Sequence, residues 1–578
     1  MVRKYFTWTL LSAVAVFAFY FSQIKPVHAA GSGETVKVWV FLKDKGPQQS
    51  ALLKKARNFV TPRSLKRRMK VRGNQPVDAK DIPLYAPYVR RIGALVEEIR
   101  VKSKWLNAVS VEVNSDDLAA LQTLPFVKKI QPVRAYRRHM PPQPQEKSRQ
   151  KALPKSSSGQ ALDYGSSATQ IEQINVHLLH EQGYYGQGVL IAMLDDGFNL
   201  LNHHIAFDSL DVQATYDFIH DDESVDDSEF NATEGTHGTK TLSTIGGYVP
   251  GELIGPAFKA TYLLAKTEVD ATETPVEEDY WVAGLEWADS LGADLVSSSL
   301  GYIDWYTWDD MDGETAVTTV AADQAVHNGM LVFNSAGNEG NNDSHNTLIA
   351  PADGDSVMAI AAVTSSGERS SFSSVGPSAD GRTKPDLAAM GSSVYTASSS
   401  DSTGFVYSSG TSFSCPLSAG AAALLLCAHP ELTPVEVQQA LKATASQADA
   451  PDNLLGWGIS DAAAALDYID SVSGFAEKEI VPQSAYLAQN YPNPFGRGQG
   501  AKAPRSTVIP FQLKIPAQVE LAVFNTLGQR VKTLVLGARP AGSYRVTFDA
   551  ADLASGIYIY RLTTDRGFSR VRKMILLR

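Results

Sequence analysis

At 578 residues, with 44% hydrophobic and 20% charged side chains, the chain is too long for one core and has the make-up of several globular units, which excludes a disordered or collagenous polymer. Its net charge of -10 hides a segregation: residues 51–140 hold 20 Lys/Arg and 7 Asp/Glu, net +13, while residues 161–470 hold 7 and 46, net -39. The basic stretch has no DNA- or RNA-binding motif and its acidic neighbour repels phosphate, which excludes nucleic acid as a partner and leaves the two stretches to attract each other.

Arg3 and Lys4 precede an apolar stretch over 5–21, and Val27-His28-Ala29 offers a small residue at a cut, so residues 1–30 read as a signal peptide and the chain as exported. A retained membrane anchor is the alternative, because the apolar stretch is long for a signal; no other apolar run is expected to span a bilayer. Residues 36–42 alternate as a strand, a basic helical stretch covers 54–72, and a strand at 107–113, a short helix at 116–121 and a strand at 126–132 follow. Together they predict a small α+β unit within 31–139. Pro141, Pro142, Pro144, Pro154 and a serine run at 156–158 mark 140–160 as an exposed linker open to proteolysis.

From 161 to 470, apolar strands at 189–194, 260–265, 295–299, 330–334 and 357–363 alternate with amphipathic or Ala-rich helices, which predicts an α/β domain around a mostly parallel sheet. A second linker is expected at 471–482, and the Gly- and Pro-punctuated strands of 483–578 predict a small β-sandwich. The two cysteines, Cys415 and Cys427, stand twelve residues apart in one helical run. A rise of about 1.5 Å per residue holds them too far apart to bridge.

Four segments carry candidate chemistry. Strand 191–194 ends in Asp195-Asp196-Gly197, the position at which parallel sheets place functional groups. Gly235-Thr236-His237-Gly238-Thr239 offers an imidazole able to accept and return a proton. Ser335-Ala336-Gly337-Asn338 sets an amide in a glycine-rich turn, where it could donate to a developing oxyanion. Gly410-Thr411-Ser412 opens a small-residue helix, whose N-terminal N–H groups and dipole suit a nucleophile. Each alone also fits a turn, a cap or a structural histidine.

Taken together, the strand-Asp-x-Gly, His-Gly-Thr, Ala-Gly-Asn and Gly-Thr-Ser-x-x-x-Pro patterns resemble the subtilisin-like serine peptidases over about 165–470, including Gly456-Trp457-Gly458 and Asp461-Ala462-Ala463 near the end. The resemblance implies a three-layer α/β fold and a secreted serine endopeptidase with Asp195, His237 and Ser412 as triad and Asn338 in the oxyanion hole. It further implies that Ser299, Leu300 and Gly301 pair with a peptide substrate and that Ser335, Ala336 and Gly337 line the first specificity pocket. No cofactor is implied for the chemistry and no metal site is assigned. The acidic stretch 221–229 leaves a structural calcium open without a ligand set, a solvated loop being the simpler reading. Lys240, where many relatives have a second histidine, and Cys415-Pro416-Leu417 depart from the family pattern without removing a catalytic group.

Residues 35–135 resemble the inhibitory propeptides of that family, notably in 107–113 and 126–130, which implies a zymogen whose propeptide blocks the cleft. Asn490-Tyr491-Pro492-Asn493-Pro494-Phe495, Thr526-Leu527-Gly528-Gln529-Arg530-Val531 and Ser555-Gly556-Ile557-Tyr558 resemble the C-terminal sorting domain of the bacterial type IX secretion system. The implied partners are protein or peptide substrates, the chain's own propeptide and the secretion machinery. The competing readings are a catalytically silent cell-surface binding protein on the same scaffold and a signal-anchored adhesin.

Overall fold

The computed structural model describes residues 33–133, 135–136, 162–227, 235–268, 276–303, 306–340 and 347–472, and in the tail 486–487, 490, 495, 506–540, 542–550 and 553–577. The expected signal peptide and the expected linker at 140–160 lie outside them. The second expected linker begins inside a helix, Ala462–Val472, and its remainder is also outside. Contacts divide the chain into two units, 1–468 and 469–578.

In the first unit, β1 (Thr35–Leu42) lies between β3 (Ala108–Asn114) and β4 (Val127–Pro132), with β2 (Glu98–Ser103) beyond β3, all antiparallel. The period of two divides β1 between two cores. Val38, Val40 and Leu42 pack with Val109, Val111 and Val113 inside this small sheet, whereas Trp39 and Phe41 pack with Ala108 and Val317 across its other face. The basic stretch 54–72 is not one helix. Pro62 lacks an N–H and disfavours helical backbone before it, so a 3-10 turn at Ala56–Phe59 gives way to extended Val60, and α1 (Pro62–Arg72) starts afresh under a Thr61 cap. The sequence patterns also miss β2 and α2 (Ala86–Gly93).

Seven parallel strands form the large sheet: β6 (Leu190–Asp195), β7 (Asp211–Asp217), β8 (Thr261–Lys266), β10 (Leu295–Ser298), β11 (Leu331–Ser335), β12 (Met358–Val363) and β13 (Leu387–Met390), in the order β13-β12-β11-β10-β6-β8-β7. A further short strand, β9 (Val276–Glu277), pairs antiparallel with β5 (Ala135–Tyr136). The main helices are α3 (Thr236–Gly246), α4 (Glu278–Leu291), α5 (Val317–His327) and α6 (Thr411–Ala428). Leu190, Ala192 and Leu194 of β6 face the core shared with α4 and α5. Alternation therefore turns Ile191, Met193 and Asp195 to the other face, where α3 and α6 pack. Helix α6 has the length and apolar composition of a membrane span, which the sequence reading did not anticipate, but 89% of it is buried inside the protein and it is the central core helix.

The basic sheet sits on α4 and α5. Glu286 of α4 accepts from Ser103 Oγ at 2.5 Å and from the N–H groups of Trp105 and Lys104 at 3.1 and 3.2 Å, and burial pushes its carboxyl above the usual range. Asp279 accepts from Ser110 Oγ at 2.6 Å and pairs with Arg100 at 3.3 Å.

The second unit is a sandwich of two antiparallel sheets. One holds Tyr486–Leu487, Ser506–Leu513 and Gly542–Asp549, and the other Arg530–Arg539, Ala517–Phe524, Gly556–Thr564 and Ser569–Leu576. Ile509, Phe511 and Phe548 from the first interleave with Leu521, Tyr560 and Met574 from the second.

Net charges of opposite sign predict an association that weakens with salt, yet Arg67, Arg68 and Asp289 at this contact are all almost fully buried. Screening acts weakly on buried pairs. Titrating the separated basic segment into the rest of the first unit at rising NaCl should give a shallow loss of affinity. A steep loss would place the attraction in exposed charge instead.

Candidate functional site

The candidate residues gather where parallel strands end. Strand β6 stops at Asp195, β10 leads into Ser299-Leu300-Gly301, and β11 leads into Ala336-Gly337-Asn338. Asp195 Oδ1 accepts from His237 Nδ1 at 2.6 Å, and its Oδ2 accepts from Thr241 Oγ1 at 2.8 Å. Thr241 lies four residues after His237, one turn along the same face of α3, so both reach the same carboxylate. With Nδ1–H given to Asp195, the neutral ring keeps an acceptor at Nε2.

The adjacent acid does something else. Asp196 accepts from the backbone N–H of Gly238 at 2.7 Å and of His237 at 3.2 Å, capping the first turn of α3 from a neighbouring strand end. This close approach requires glycine, because a Cβ on Gly238 would stand 2.0 Å from the Gly197 carbonyl oxygen. Asp195, Asp196 and His237 bring their ligand-type atoms within 4.8 Å of one another, but the bonds to each other, to Thr241 and to the helix account for that spacing without a metal.

Ser412 is the second residue of α6. Its carbonyl accepts from Ser299 Oγ at 2.9 Å and its own Oγ donates to the Ser299 carbonyl at 3.4 Å, which ties the helix start to the end of β10. The His237 ring lies beside the next residue, Phe413, with centroids 5.9 Å apart. The structure thus joins Asp195 to His237 and sets Ser412 nearby, with its hydroxyl turned to Ser299. Asn338 Oδ1 accepts from both the N–H and the hydroxyl of Thr411 at 3.0 Å. A backbone N–H can only donate, so the amide oxygen faces Thr411 and the NH2 faces the other way.

The remaining expected residues line the same edge. Leu300 O accepts from Asn334 Nδ2 at 2.9 Å, and Ile349 covers Gly301 so closely that a Cβ there would meet its side chain at 2.2 Å. Gly337 has φ +109°, and its carbonyl accepts from Ser374 N at 2.9 Å while Ser374 Oγ accepts from Glu339 N at 3.0 Å. Thr241, Thr411, Asn334 and Ser374 were not singled out from sequence. Thr411 stood inside the Gly-Thr-Ser motif without a role of its own, and Thr241 left the four-residue spacing from His237. Burial pushes the Cys415 thiol up to about 12, so it stays protonated.

Residues 186–458 match the model of the subtilase family. Subtilisin from Bacillus pumilus is 31% identical over 287 residues, which are 50% of this chain and 92% of that relative. The chain belongs to the subtilase family. Subtilisin NAT from Bacillus subtilis subsp. natto is 32% identical over 287 residues, covering 50% of this chain and 67% of the relative, and serine protease AprX from Bacillus subtilis (strain 168) is 28% identical over 332 residues, covering 52% and 70%. Residues 37–151 match the peptidase S8 propeptide domain of Bacteroidota, and 503–577 match a secretion system C-terminal sorting domain. This member is therefore a serine peptidase made with a propeptide, and its tail directs it through type IX secretion to the cell surface or the extracellular space.

Replacing Thr241 by Val should remove one hydrogen-bond donor from the buried Asp195 carboxylate. The expected loss is about 1 to 3 kcal/mol of stability, measurable by urea unfolding against the parent chain; an unchanged midpoint would show that Thr241 does not support Asp195.

Proposed function

We propose that the chain is the zymogen of a secreted serine endopeptidase that cuts proteins through an acyl-enzyme at Ser412. The observation that carries this reading is the Asp195–His237 hydrogen bond set beside the N-terminus of the helix bearing Ser412. In the reaction, Ser412 Oγ turns from Ser299 toward the imidazole by rotation about one side-chain bond and attacks the substrate carbonyl carbon. Its proton passes to His237 Nε2, and Asp195 stabilises the imidazolium and holds its orientation.

The tetrahedral oxyanion takes hydrogen bonds from the Asn338 NH2 and the Ser412 N–H, both fixed before substrate arrives, the first because Thr411 holds the amide oxygen. Collapse breaks the peptide bond, and His237 returns the proton to the leaving amine. Water then repeats the sequence on the acyl-enzyme, releasing the new carboxyl end. Every group in this scheme comes from the chain itself.

Substrate recognition follows from strand addition. Residues Ser299, Leu300 and Gly301 offer backbone to an extended peptide, with Ser335, Ala336 and Gly337 beside the residue at the scissile bond. The antiparallel pairing of β5 with β9 is an added strand of this kind from the chain's own propeptide, with Tyr136 opposite Val276 and Ala135 opposite Glu277, although it lies on β9 and not on residues 299–301. The propeptide then inhibits by occupying backbone open to strand addition.

Ser412→Ala should abolish casein hydrolysis and labelling by a fluorophosphonate while the precursor stays folded. Retained labelling would refute the assignment of the nucleophile, and an inactive processed parent chain would favour the silent binding protein. Asn338→Ala should lower kcat roughly a hundred- to a thousandfold, a range drawn from the corresponding asparagine of a subtilisin, with little change in KM. N-terminal sequencing of the processed enzyme should find its first residue after Tyr136 and before residue 162.

A further inference from the structure

Helices α4 and α5 end side by side, and both lead into the N-terminal ends of strands, β10 and β11. This is the sheet edge opposite the one that holds Ser299, Ala336 and Asn338. Each helix is followed by a glycine with positive φ, Gly292 at +97° and Gly329 at +87°. A Cβ on Gly292 would stand 2.8 Å from Ser64 N, and one on Gly329 would stand 3.2 Å from Arg67 O, so the backbone of α1 lies directly against both helix ends.

Into this junction α1 inserts two adjacent arginines. Arg67 donates to the Ala293 carbonyl and to Asp289 Oδ1, and to the Asn328 carbonyl at 3.3 Å. Arg68 donates to Asp289 Oδ2, and to Asp81 Oδ1 of its own segment at 2.7 Å. At the margin, Arg63 pairs with Asp294 and donates to Gly188 O at 2.9 Å, and Arg72 donates to Asn328 Oδ1 at 3.0 Å. Arg67 is 2% exposed, and Arg68 and Asp289 are fully buried.

The chemistry is that of a built guanidinium site. Helix C-termini present carbonyls without intrahelical donors and a partial negative charge, both suited to a cation. The planar fork of arginine satisfies a carbonyl and a carboxylate together, which an ammonium cannot do in the same way. Asp289, Asp294, Asn328 and the Gly188 and Ala293 carbonyls belong to the peptidase side, while Ser64 Oγ, the Pro76 carbonyl, Asp78 and Asp81 hold the guanidinium groups from within the propeptide.

We propose that the peptidase carries, at the joined C-terminal ends of α4 and α5, an exosite for two adjacent arginines on a helical turn, and that this site keeps the propeptide bound after the chain has been cut. The inference rests on the zymogen reading above for its biological setting, though not for its binding chemistry. Opening a peptide bond beyond Tyr136 severs the chain after β5 but leaves Arg67 and Arg68 seated at the other edge of the sheet.

The test uses the full chain carrying Ser412→Ala, so that no self-cleavage intervenes, with a recognition sequence for a site-specific protease inserted after residue 150. After folding and nicking, the complex is diluted and the fraction of propeptide still bound is followed by size exclusion. Arg67→Gln with Arg68→Gln should release the propeptide roughly 30-fold faster or more, as expected for truncating one side of a buried charge pair. Asp289→Asn should do the same from the other side, combining it with the arginine changes should add little, and Arg67→Lys should fall between. Equal release rates would overturn the proposal. So would a fast arginine variant that Asp289→Asn does not reproduce, because that pattern would assign the effect to the Arg68–Asp81 pair inside the propeptide. Because release is read by size exclusion after nicking with an added protease, failure of the catalytic reading appears in the labelling and casein assays and not in the release rates.

Discussion

A carboxylate removed from water is expensive unless donors surround it, and Asp195 is fully buried at the end of β6. Its donors include His237 Nδ1, Thr241 Oγ1 and the Asp196 N–H. The first two come from α3, so the helix must dock with its first turn against the end of β6. Docking in turn demands Gly238 against Gly197 and a cap for the N–H groups the helix start leaves bare, which Asp196 supplies. The requirement to satisfy one charge therefore determines the position of the imidazole. Ser412 and Asn338 are then held to that position by Ser299 and Thr411.

The same rule operates at the other edge of the sheet. The buried Asp289 is met by two guanidinium groups from α1, and Asn328 Nδ2 donates to it at 3.4 Å. The large charge contrast between the basic and acidic segments brings them together over distance, but the contact itself is made by a few desolvated groups and by Trp39 and Phe41 on an apolar helix face. Long-range field and short-range fit are separate contributions, and only the second is specific.

The tail solves its own burial problem. Among the described residues of the second unit, Ile509, Phe511, Leu521, Phe548, Tyr560 and Met574 close a core between its two sheets.

Much of the architecture was legible in the sequence because it follows from periodicity and punctuation. The strand of 189–194, the helix opened by Gly410-Thr411-Ser412 and the alternation of 36–42 all fell close to their observed bounds, and the four short motifs lie on elements whose ends meet at one edge of the large sheet. The split of 54–72 at Pro62 was written there too, but a run of basic residues masked it. Residue type and spacing alone left open which of Asp195 and Asp196 meets the imidazole; the family resemblance pointed to Asp195, and alternation along β6 with the docking of α3 is the physical reason that it is Asp195. Sequence could not pair Arg67 and Arg68 with Asp289, more than 200 residues away. Composition determines that opposite charges exist; the convergence of two helix ends and two glycines decides which of them are buried together, because desolvation depends on neighbours that the linear order does not contain.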